Sequence, residues 1–129
     1  MKLIVVGPKG KMGKLITKIA AERDNLELVT TTVGNELDIE ILEMHDQWKK
    51  DAPSDTSKEM GEIMAHALGE ELKDIAIYGR EGAAPREPGT IGYHSLRAGN
   101  IPSSHTVYFG GMGERLEITH HSYNWDLTL

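Results

Sequence analysis

The amino-acid sequence predicts an α/β (α+β) chain, in which a truncated Rossmann-like βαβ fragment precedes a lobe with a mixed or antiparallel sheet. Three observations lead to this prediction. An apolar run near the N-terminus ends in a glycine-rich turn, a second amphipathic helix follows strong capping residues, and several strand-like runs fill the rest of the chain. We expect two units, 1–34 and 35–129, separated at Gly34-Asn35.

The first unit has the order strand, glycine turn, helix, strand. Residues 3–6 form a short, continuous apolar run, which is typical of a strand covered on both faces. Apolar residues at i, i+3, i+4, i+7 and i+8 predict an amphipathic helix: Met12, Leu15, Ile16, Ile19 and Ala20. Residues 26–33 are predicted as a second strand, so the unit is one βαβ motif.

The second unit begins with a half-buried strand, because apolar and acidic residues alternate over 37–41. A second helical stripe contains Met60 and Met64, follows capping residues at 54–56 and ends near Gly69. Four further strands are predicted at 75–78, 90–97, 105–109 and 115–120. The loop 79–89 contains three glycines and two prolines, and loops of this length are often functional.

Composition and charge exclude several classes of protein. The chain has 129 residues, a net charge of −6 and no cysteine, which argues against a nucleic-acid-binding surface, a disulfide framework and a thiolate metal site. Adjacent His120 and His121 would point to opposite faces of a strand, so we predict no metal site. No apolar run approaches the roughly 18 residues that a membrane-spanning helix needs. We therefore expect a cytoplasmic protein that binds neither nucleic acid nor membrane.

A glycine loop follows the first strand and opens the first helix, which is the position of a dinucleotide-binding fingerprint. It has the spacing Gly-x-x-Gly-x-x-Gly. The candidate cofactor-binding residues are Gly7, Pro8, Lys9, Gly10, Lys11 and Met12. No acidic residue ends the second strand to hold an adenosine ribose, and the loop lysines suit a 2′-phosphate, which favours NADPH over NADH. A glycine turn without a ligand is the alternative.

The segment 43–56 carries more chemistry than a connector between a strand and a helix needs. His45 and Lys49 can both deliver a proton. Ser54 and Thr56 lie at a predicted helix start, where free backbone N–H groups form an anion site. Together these groups predict a small carboxylate substrate that is protonated during reaction. The alternative is an ordinary capped loop, because loops collect polar residues.

Other polar and aromatic residues are predicted to have structural roles. Glu43 and Asp51 are expected to brace the loop by hydrogen bonding. Arg97 is expected to form an ion pair between strands or between subunits, and His105 to pack across neighbouring strands. Trp48 is expected to be a partly buried anchor for the loop.

These segments together resemble the dihydrodipicolinate reductase family, also called the 4-hydroxy-tetrahydrodipicolinate reductases. The family loop reads Gly-x-x-Gly-x-Met-Gly, as at 7–13. Its substrate signature is close to Glu-x-His-His-x-x-Lys-x-Asp-Ala-Pro-Ser-Gly-Thr, which 43–56 follows at most positions. Further matching segments occur in the family's order at 80–82, 88–92, 96–99, 105–106 and 113–120. Shared order over roughly nine-tenths of the chain is more specific than any one motif.

The resemblance implies an oxidoreductase of lysine and diaminopimelate biosynthesis, in which NADPH or NADH passes hydride to a cyclic imine dicarboxylate. By matching position, His45 and Lys49 would be the proton donor pair. Ser54 and Thr56 would hold a substrate carboxylate. The resemblance also implies a homo-oligomer, a dimer or tetramer, that assembles through the sheet of the substrate domain.

Two signature positions and the length differ from the family pattern. Asp46 replaces the second histidine and Asp55 replaces the glycine, which places acidic groups where an anionic substrate is expected. The chain also passes directly from Val33 to the substrate strand, so we expect a shortened member that keeps only the pyrophosphate end of the cofactor site. Two alternatives stay open: a non-catalytic ligand-binding or regulatory homologue, and a partner that joins a full-length reductase through the shared sheet.

Overall fold

A two-stranded parallel sheet forms from the N-terminal part of the chain. The computed structural model describes residues 2–6, 27–31 and 37–124. Strand β1 (Lys2–Val6) pairs in parallel with β2 (Glu27–Thr31), as a βαβ motif requires. The sequence predicted both strands. The predicted first helix and the glycine loop lie outside the described residues, and the unit boundary at residue 34 stays a prediction.

A five-stranded mixed sheet dominates the rest of the described chain. Its strands are β3 (Asp38–His45), β4 (Ala76–Tyr78), β5 (Ile91–Arg97), β6 (Ser103–Gly111) and β7 (Glu114–Ser122). In the order β4-β5-β3-β6-β7, β5 runs parallel to both β3 and β4, whereas β6 is antiparallel to β3 and to β7. This arrangement confirms the predicted α/β class with a mixed sheet.

Two helices lie between β3 and β4 in the chain, α1 (Asp55–Ala67) and α2 (Leu72–Ile75). Ser54 is the N-cap of α1, as its residue type predicts, and its side chain accepts a hydrogen bond from the backbone N–H of Ser57. Gly69 follows the helix in the left-handed conformation, with φ of +73°, which favours glycine. Within the described residues, neither helix is long and apolar enough to cross a bilayer.

The hydrophobic core lies where α1 packs on β3 and β5. Alternation along β3 turns Ile39 and Ile41 toward this core, and both are buried. The other buried apolar residues of the cluster are Met64, Ala65, Leu72, Ile75, Ile91, Tyr93, Val107 and Phe109. Because β3 is the central strand, the inward residues that continue its alternation, Glu43 and His45, are buried as well.

Strand β3 is longer than the sequence predicts. The apolar alternation ends at Ile41, yet the strand continues to His45 and keeps its pairing with both neighbouring strands. The additional inward residues, Glu43 and His45, are polar, so they do not continue the alternation of apolar side chains that predicts a strand. Glu43 and His45 therefore belong to the end of a central strand rather than to the connecting loop.

The long loop between β4 and β5 is held against the sheet by arginine side chains. The Arg86 guanidinium donates to the backbone carbonyls of Thr90 at 2.7 Å and Ile39 at 3.0 Å. Arg80 donates to the carboxylate of Glu40, which also pairs with Arg86 at 3.4 Å. Burial alone would raise the pKa of Glu40, but hydrogen bonds, first that of Arg80, outweigh it and lower the pKa. These contacts attach the loop to β3.

Candidate functional site

Buried polar residues cluster at the carboxyl end of β3. Glu43 is fully buried and His45 is 7% exposed. They are two residues apart in a strand, so their side chains share one face, and Nδ1 of His45 lies 2.5 Å from Oε2 of Glu43. A buried carboxylate is unfavourable unless it is paired and hydrogen-bonded. The structure must therefore supply a compensating cation.

Arg97, at the end of the neighbouring strand β5, supplies this cation. Its Nη1 donates to Oε2 of Glu43 and its Nη2 donates to Oε1, both at 2.9 Å. The backbone N–H of Ser54 also donates to Oε1, at 3.2 Å. Burial alone would raise the pKa of Glu43, but hydrogen bonds from Arg97, Ser95 and His45 outweigh it and lower the pKa. Glu43 is thus an ionised carboxylate inside the fold.

His105 completes the cluster from β6, where it lies directly opposite Glu43 in the strand register. The rings of His105 and His45 meet edge to face, with centroids 5.3 Å apart. Nε2 of His105 lies 3.2 Å from Oγ of Ser54. Burial, followed by repulsion from His45, lowers the pKa of His105. His105 is therefore a neutral ring at neutral pH.

The loop that follows β3 is folded back by local contacts. Asp46 accepts a hydrogen bond from the backbone N–H of Trp48 at 2.8 Å, and Nζ of Lys49 pairs with Asp51 at 3.0 Å. The hydrogen bond from Lys49 lowers the pKa of Asp51. Arg97 donates to the backbone carbonyl of Asp51 at 2.8 Å, so one guanidinium holds both the loop and the buried carboxylate. Trp48 is 67% exposed, so the prediction that it anchors the loop is wrong.

The predicted proton donors and substrate residues lie between the end of β3 and the first turn of α1. They are His45 at the end of β3, Lys49 in the loop, Ser54 at the N-cap and Thr56 in the first turn. His45 and Ser54 both contact the carboxylate of Glu43, whereas Lys49 contacts Asp51. The predicted cofactor-binding residues, 7–12, lie outside the described residues.

The side chain of Ser54 is buried, and its hydroxyl is hydrogen-bonded to other residues of the fold. It is 3% exposed, and its Oγ accepts from the Ser57 backbone N–H at 3.3 Å and donates to Oγ of Ser57 at 3.1 Å. The same oxygen faces His105. The Ser54 hydroxyl would therefore have to give up a hydrogen bond within the fold before it could hold a ligand carboxylate. Asp55, the acidic departure from the family signature, is exposed.

Three side chains of the cluster have the spacing of a metal site. Ligand atoms of Glu43, His45 and His105 lie within 4.8 Å of one another, and two imidazoles with one carboxylate suit zinc. Both oxygens of Glu43, however, already accept hydrogen bonds from Arg97. A metal ion would have to face or displace this guanidinium, which Coulomb repulsion disfavours. The arrangement fits a proton-handling network better than a metal centre.

The sequence predicts separate structural roles for Glu43, Arg97 and His105 and does not indicate that they meet. The brace from Glu43 to the loop and the interstrand ion pair of Arg97 were expected, and both are present. The shared carboxylate was not expected. The sequence did contain one indication: Glu43 and His45 follow Ile41 at two-residue intervals, so their side chains lie on the same buried face of β3. The register that brings Arg97 and His105 alongside depends on long-range pairing, which no local pattern contains.

Comparison with known proteins shows that the chain is similar to members of one protein family. A family model described as "Dihydrodipicolinate reductase, C-terminus" matches residues 19–127. The chain belongs to the dihydrodipicolinate reductase family. The match confirms the resemblance found in the sequence motifs, and its range includes the Glu43, His45 and His105 cluster.

Individual relatives agree with this assignment. A 4-hydroxy-tetrahydrodipicolinate reductase from Hahella chejuensis (strain KCTC 2396) is 49% identical over 96 residues, which are 74% of this chain. The chain spans 36% of the length of that relative. Among solved structures, a dipicolinate-bound dihydrodipicolinate reductase from Paenisporosarcina sp. TG-14 matches with a TM-score of 0.52 and 16% identity. The match covers 98% of this chain and 89% of that chain, and it shows the shared fold.

Proposed function

We propose that this chain binds the substrate and donates the proton in a 4-hydroxy-tetrahydrodipicolinate reductase-type reaction of lysine and diaminopimelate biosynthesis. The substrate class is a cyclic imine dicarboxylate, and bound NADPH or NADH would supply the hydride. One observation carries the proposal. His45 is buried at the end of a central strand and is bonded through Nδ1 to an ionised carboxylate, which leaves Nε2 for a substrate.

The proposed role of His45 follows from the proton balance of the reaction. Addition of hydride to the imine carbon leaves an electron pair on nitrogen that must take a proton. Protonated His45 donates this proton from Nε2, while Glu43 stabilises the imidazolium through Nδ1. Lys49 adds a positive charge that can orient a substrate carboxylate.

A dicarboxylate substrate needs anion-binding groups, and the start of α1 offers the first. The N-terminal turn, in which Thr56 lies, has the positive end of the helix dipole, which attracts a carboxylate. Lys49 offers the second group. Its partner Asp51 has a side chain that is 52% exposed, and exposed ion pairs contribute little, so a ligand can replace Asp51 at small cost.

Residues 7–12 are proposed to bind the pyrophosphate of NADPH or NADH. The parallel pairing of β1 and β2 supports this assignment, because a glycine turn and helix must cross between parallel strands in a nucleotide-binding βαβ unit. Calorimetric titration with each nucleotide would measure the preference between them.

Calorimetry with pyridine-2,6-dicarboxylate tests the substrate site. We expect Lys49→Ala to weaken binding by about 10-fold or more, because a hydrogen bond to a charged group contributes about 1.5–3 kcal/mol. Lys50→Ala is the matched control, since Lys50 is the adjacent lysine and is exposed. Equal losses in the two variants, or no binding by the unmodified chain, would refute the proposed site.

Turnover tests the reaction itself. With freshly prepared cyclic imine, the unmodified chain should oxidise NADPH or NADH, followed by nicotinamide absorbance. His45→Ala should slow this step by roughly 10²–10⁴-fold. A folded chain that shows no turnover above background would contradict the enzyme proposal.

A second candidate function is a non-catalytic ligand-binding or regulatory homologue. One observation favours it: the Ser54 hydroxyl is already hydrogen-bonded within the fold, so it is not free to hold a substrate carboxylate. Binding of pyridine-2,6-dicarboxylate by a chain without turnover would support this candidate over the enzyme.

We also propose a homo-oligomer, a dimer or tetramer, formed through the five-stranded sheet. Helix α1 packs on one face of the sheet, and alternation turns Leu42, Met44 and Leu96 toward the other face, where each is partly exposed. A second copy would bury these apolar side chains. Light scattering should show an assembly that Leu96→Glu dissociates. Ile63→Glu on α1 is the control, because both side chains are 39% exposed, and a stable monomer in the unmodified chain would contradict the proposal.

A further inference from the structure

We propose that Glu43, held by Arg97, is a positioning residue that determines which nitrogen of His45 exchanges a proton. The inference rests on the proposed function, because it concerns the same proton donor. It concerns two residues, Glu43 and Arg97, for which the sequence predicts only structural roles.

The carboxylate of Glu43 selects one tautomer of His45. An ionised carboxylate can only accept hydrogen bonds, so the hydrogen in the 2.5 Å contact between Nδ1 and Oε2 belongs to Nδ1. Neutral His45 is then the Nδ1–H tautomer, with the lone pair on Nε2. In the imidazolium, the proton on Nε2 is the one that can leave while the contact to Glu43 stays intact.

The guanidinium of Arg97 keeps this carboxylate in one orientation. Arg97 donates to both oxygens at 2.9 Å, and the Ser54 backbone N–H donates to one of them at 3.2 Å. Rotation of the carboxylate would break all of these hydrogen bonds in a buried environment. Arg97 is itself held by the carbonyls of Leu96 at 2.9 Å and Asp51 at 2.8 Å. The Nδ1 side of His45 therefore has a fixed partner.

The neighbouring ring of His105 does not compete for this role. It meets His45 edge to face, and its Nε2 faces Ser54 rather than the carboxylate. Burial lowers the pKa of His105, so this ring is neutral at neutral pH.

Glu43→Gln isolates the effect, because the side chain keeps its shape but loses its charge and one acceptor. The remaining carbonyl oxygen can stay with Ser54 and Arg97, which turns the NH₂ group toward Nδ1 of His45. Nδ1 must then accept a hydrogen bond, so we expect the neutral ring to switch to the Nε2–H tautomer. Correlation of ring ¹⁵N and ring proton signals by NMR, at a pH where the ring is neutral, reports the tautomer. The His45 signals are assigned by their loss in His45→Gln.

Glu40→Gln is the matched control for this measurement. Glu40 lies on the same strand and accepts hydrogen bonds from Arg80 and Arg86, but alternation places it on the face opposite His45. The unmodified chain and Glu40→Gln should both show Nδ1–H. An Nε2–H tautomer in the unmodified chain would overturn the proposal without any need for a folded variant. An unchanged tautomer in folded Glu43→Gln would overturn it as well.

Turnover separates this inference from the reductase proposal. Glu43→Gln should lower kcat by about 100-fold while KM changes less than about threefold, and Glu40→Gln should retain both constants. Turnover by the unmodified chain with an equal kcat in Glu43→Gln would refute the positioning role and leave the reductase proposal intact. Absence of turnover in the unmodified chain would refute the reductase proposal, and the tautomer measurement would still decide the role of Glu43.

Discussion

Gly61 marks the point where α1 approaches the sheet too closely for a side chain. A Cβ at this position would lie 1.7 Å from the hydroxyl oxygen of Tyr93 and 3.2 Å from Cδ1 of Leu72. Tyr93 is 2% exposed and stacks on Tyr78 with ring centroids 5.4 Å apart, so its ring has little room to move. Gly61→Ala must therefore shift the helix or displace Tyr93.

The free energy of unfolding should fall by about 2 kcal/mol in Gly61→Ala. Overpacking a core costs about 1–3 kcal/mol, and a 1.7 Å contact against a confined ring belongs at the upper end of that range. The better helix propensity of alanine offsets about 1 kcal/mol. Since urea m-values are about 1–3 kcal/mol/M, the unfolding midpoint should fall by roughly 1 M. Far-UV circular dichroism during urea titration measures this shift.

A double-mutant cycle with Tyr93→Phe identifies the cause of the loss. The Tyr93 hydroxyl is buried and has no hydrogen-bond partner in the described part of the chain, and burial raises the pKa of Tyr93. Tyr93→Phe alone should leave stability unchanged or raise it by up to about 1 kcal/mol. In that background, Gly61→Ala should cost at least about 1 kcal/mol less, because the closest contact is gone. Equal midpoint shifts in both backgrounds, or a more stable Gly61→Ala single variant, would refute this reasoning.

Three further predictions concern the cap, the long loop and the buried histidine. Ser54→Ala should lower the free energy of unfolding by about 1 kcal/mol through loss of the helix cap, and an unchanged urea midpoint would contradict this. Arg86→Ala should speed limited proteolysis within the loop 79–90, because it removes hydrogen bonds that attach the loop to the sheet. Arg115→Ala is the control, since the Arg115 side chain is 69% exposed. Equal cleavage rates in the two variants would show that other contacts hold the loop. Folding lowers the pKa of His105 from 6.5, so the unfolded chain binds a proton at this residue before the folded chain does as pH falls. The contribution of neutral His105 to the free energy of unfolding is therefore fully present above pH 6.5 and declines below it. His105→Gln should therefore show a smaller loss of urea midpoint between about pH 7.5 and pH 5.5 than the unmodified chain, and an equal loss would count against the assignment.

Local sequence signals predicted the elements whose causes are local. Ser54 was predicted as a capping residue and caps α1, and Gly69 was predicted near the end of that helix and follows it with a positive φ. The strands of the mixed sheet were predicted from alternation and apolar runs, with bounds a few residues from those observed. Each of these signals depends on a few adjacent residues, so it is readable before the chain folds.

Residues that act through distant partners were harder to predict. His45 was identified from its motif, but its carboxylate partner was assigned to bracing the loop. Trp48 was expected to be partly buried, yet backbone contacts and Arg97 hold the loop instead, and the indole is exposed. The partners of Glu43 come from β5, β6 and the start of α1, which are 11 or more residues away in the chain.

The sequence by itself determined the family, the mixed α/β class, the capped helix after the central strand and the identity of the proposed proton donor. Only the tertiary structure decided that His45 and Glu43 are buried side by side, with Arg97 fixing the carboxylate and His105 closing the cluster. The physical reason is that alternation along a strand determines which of its side chains share a face. Strand order and register, which depend on long-range pairing, determine which side chains of neighbouring strands come into contact. The buried carboxylate of Glu43 is stable because strand pairing brings Arg97, which is distant in the chain, into contact with it.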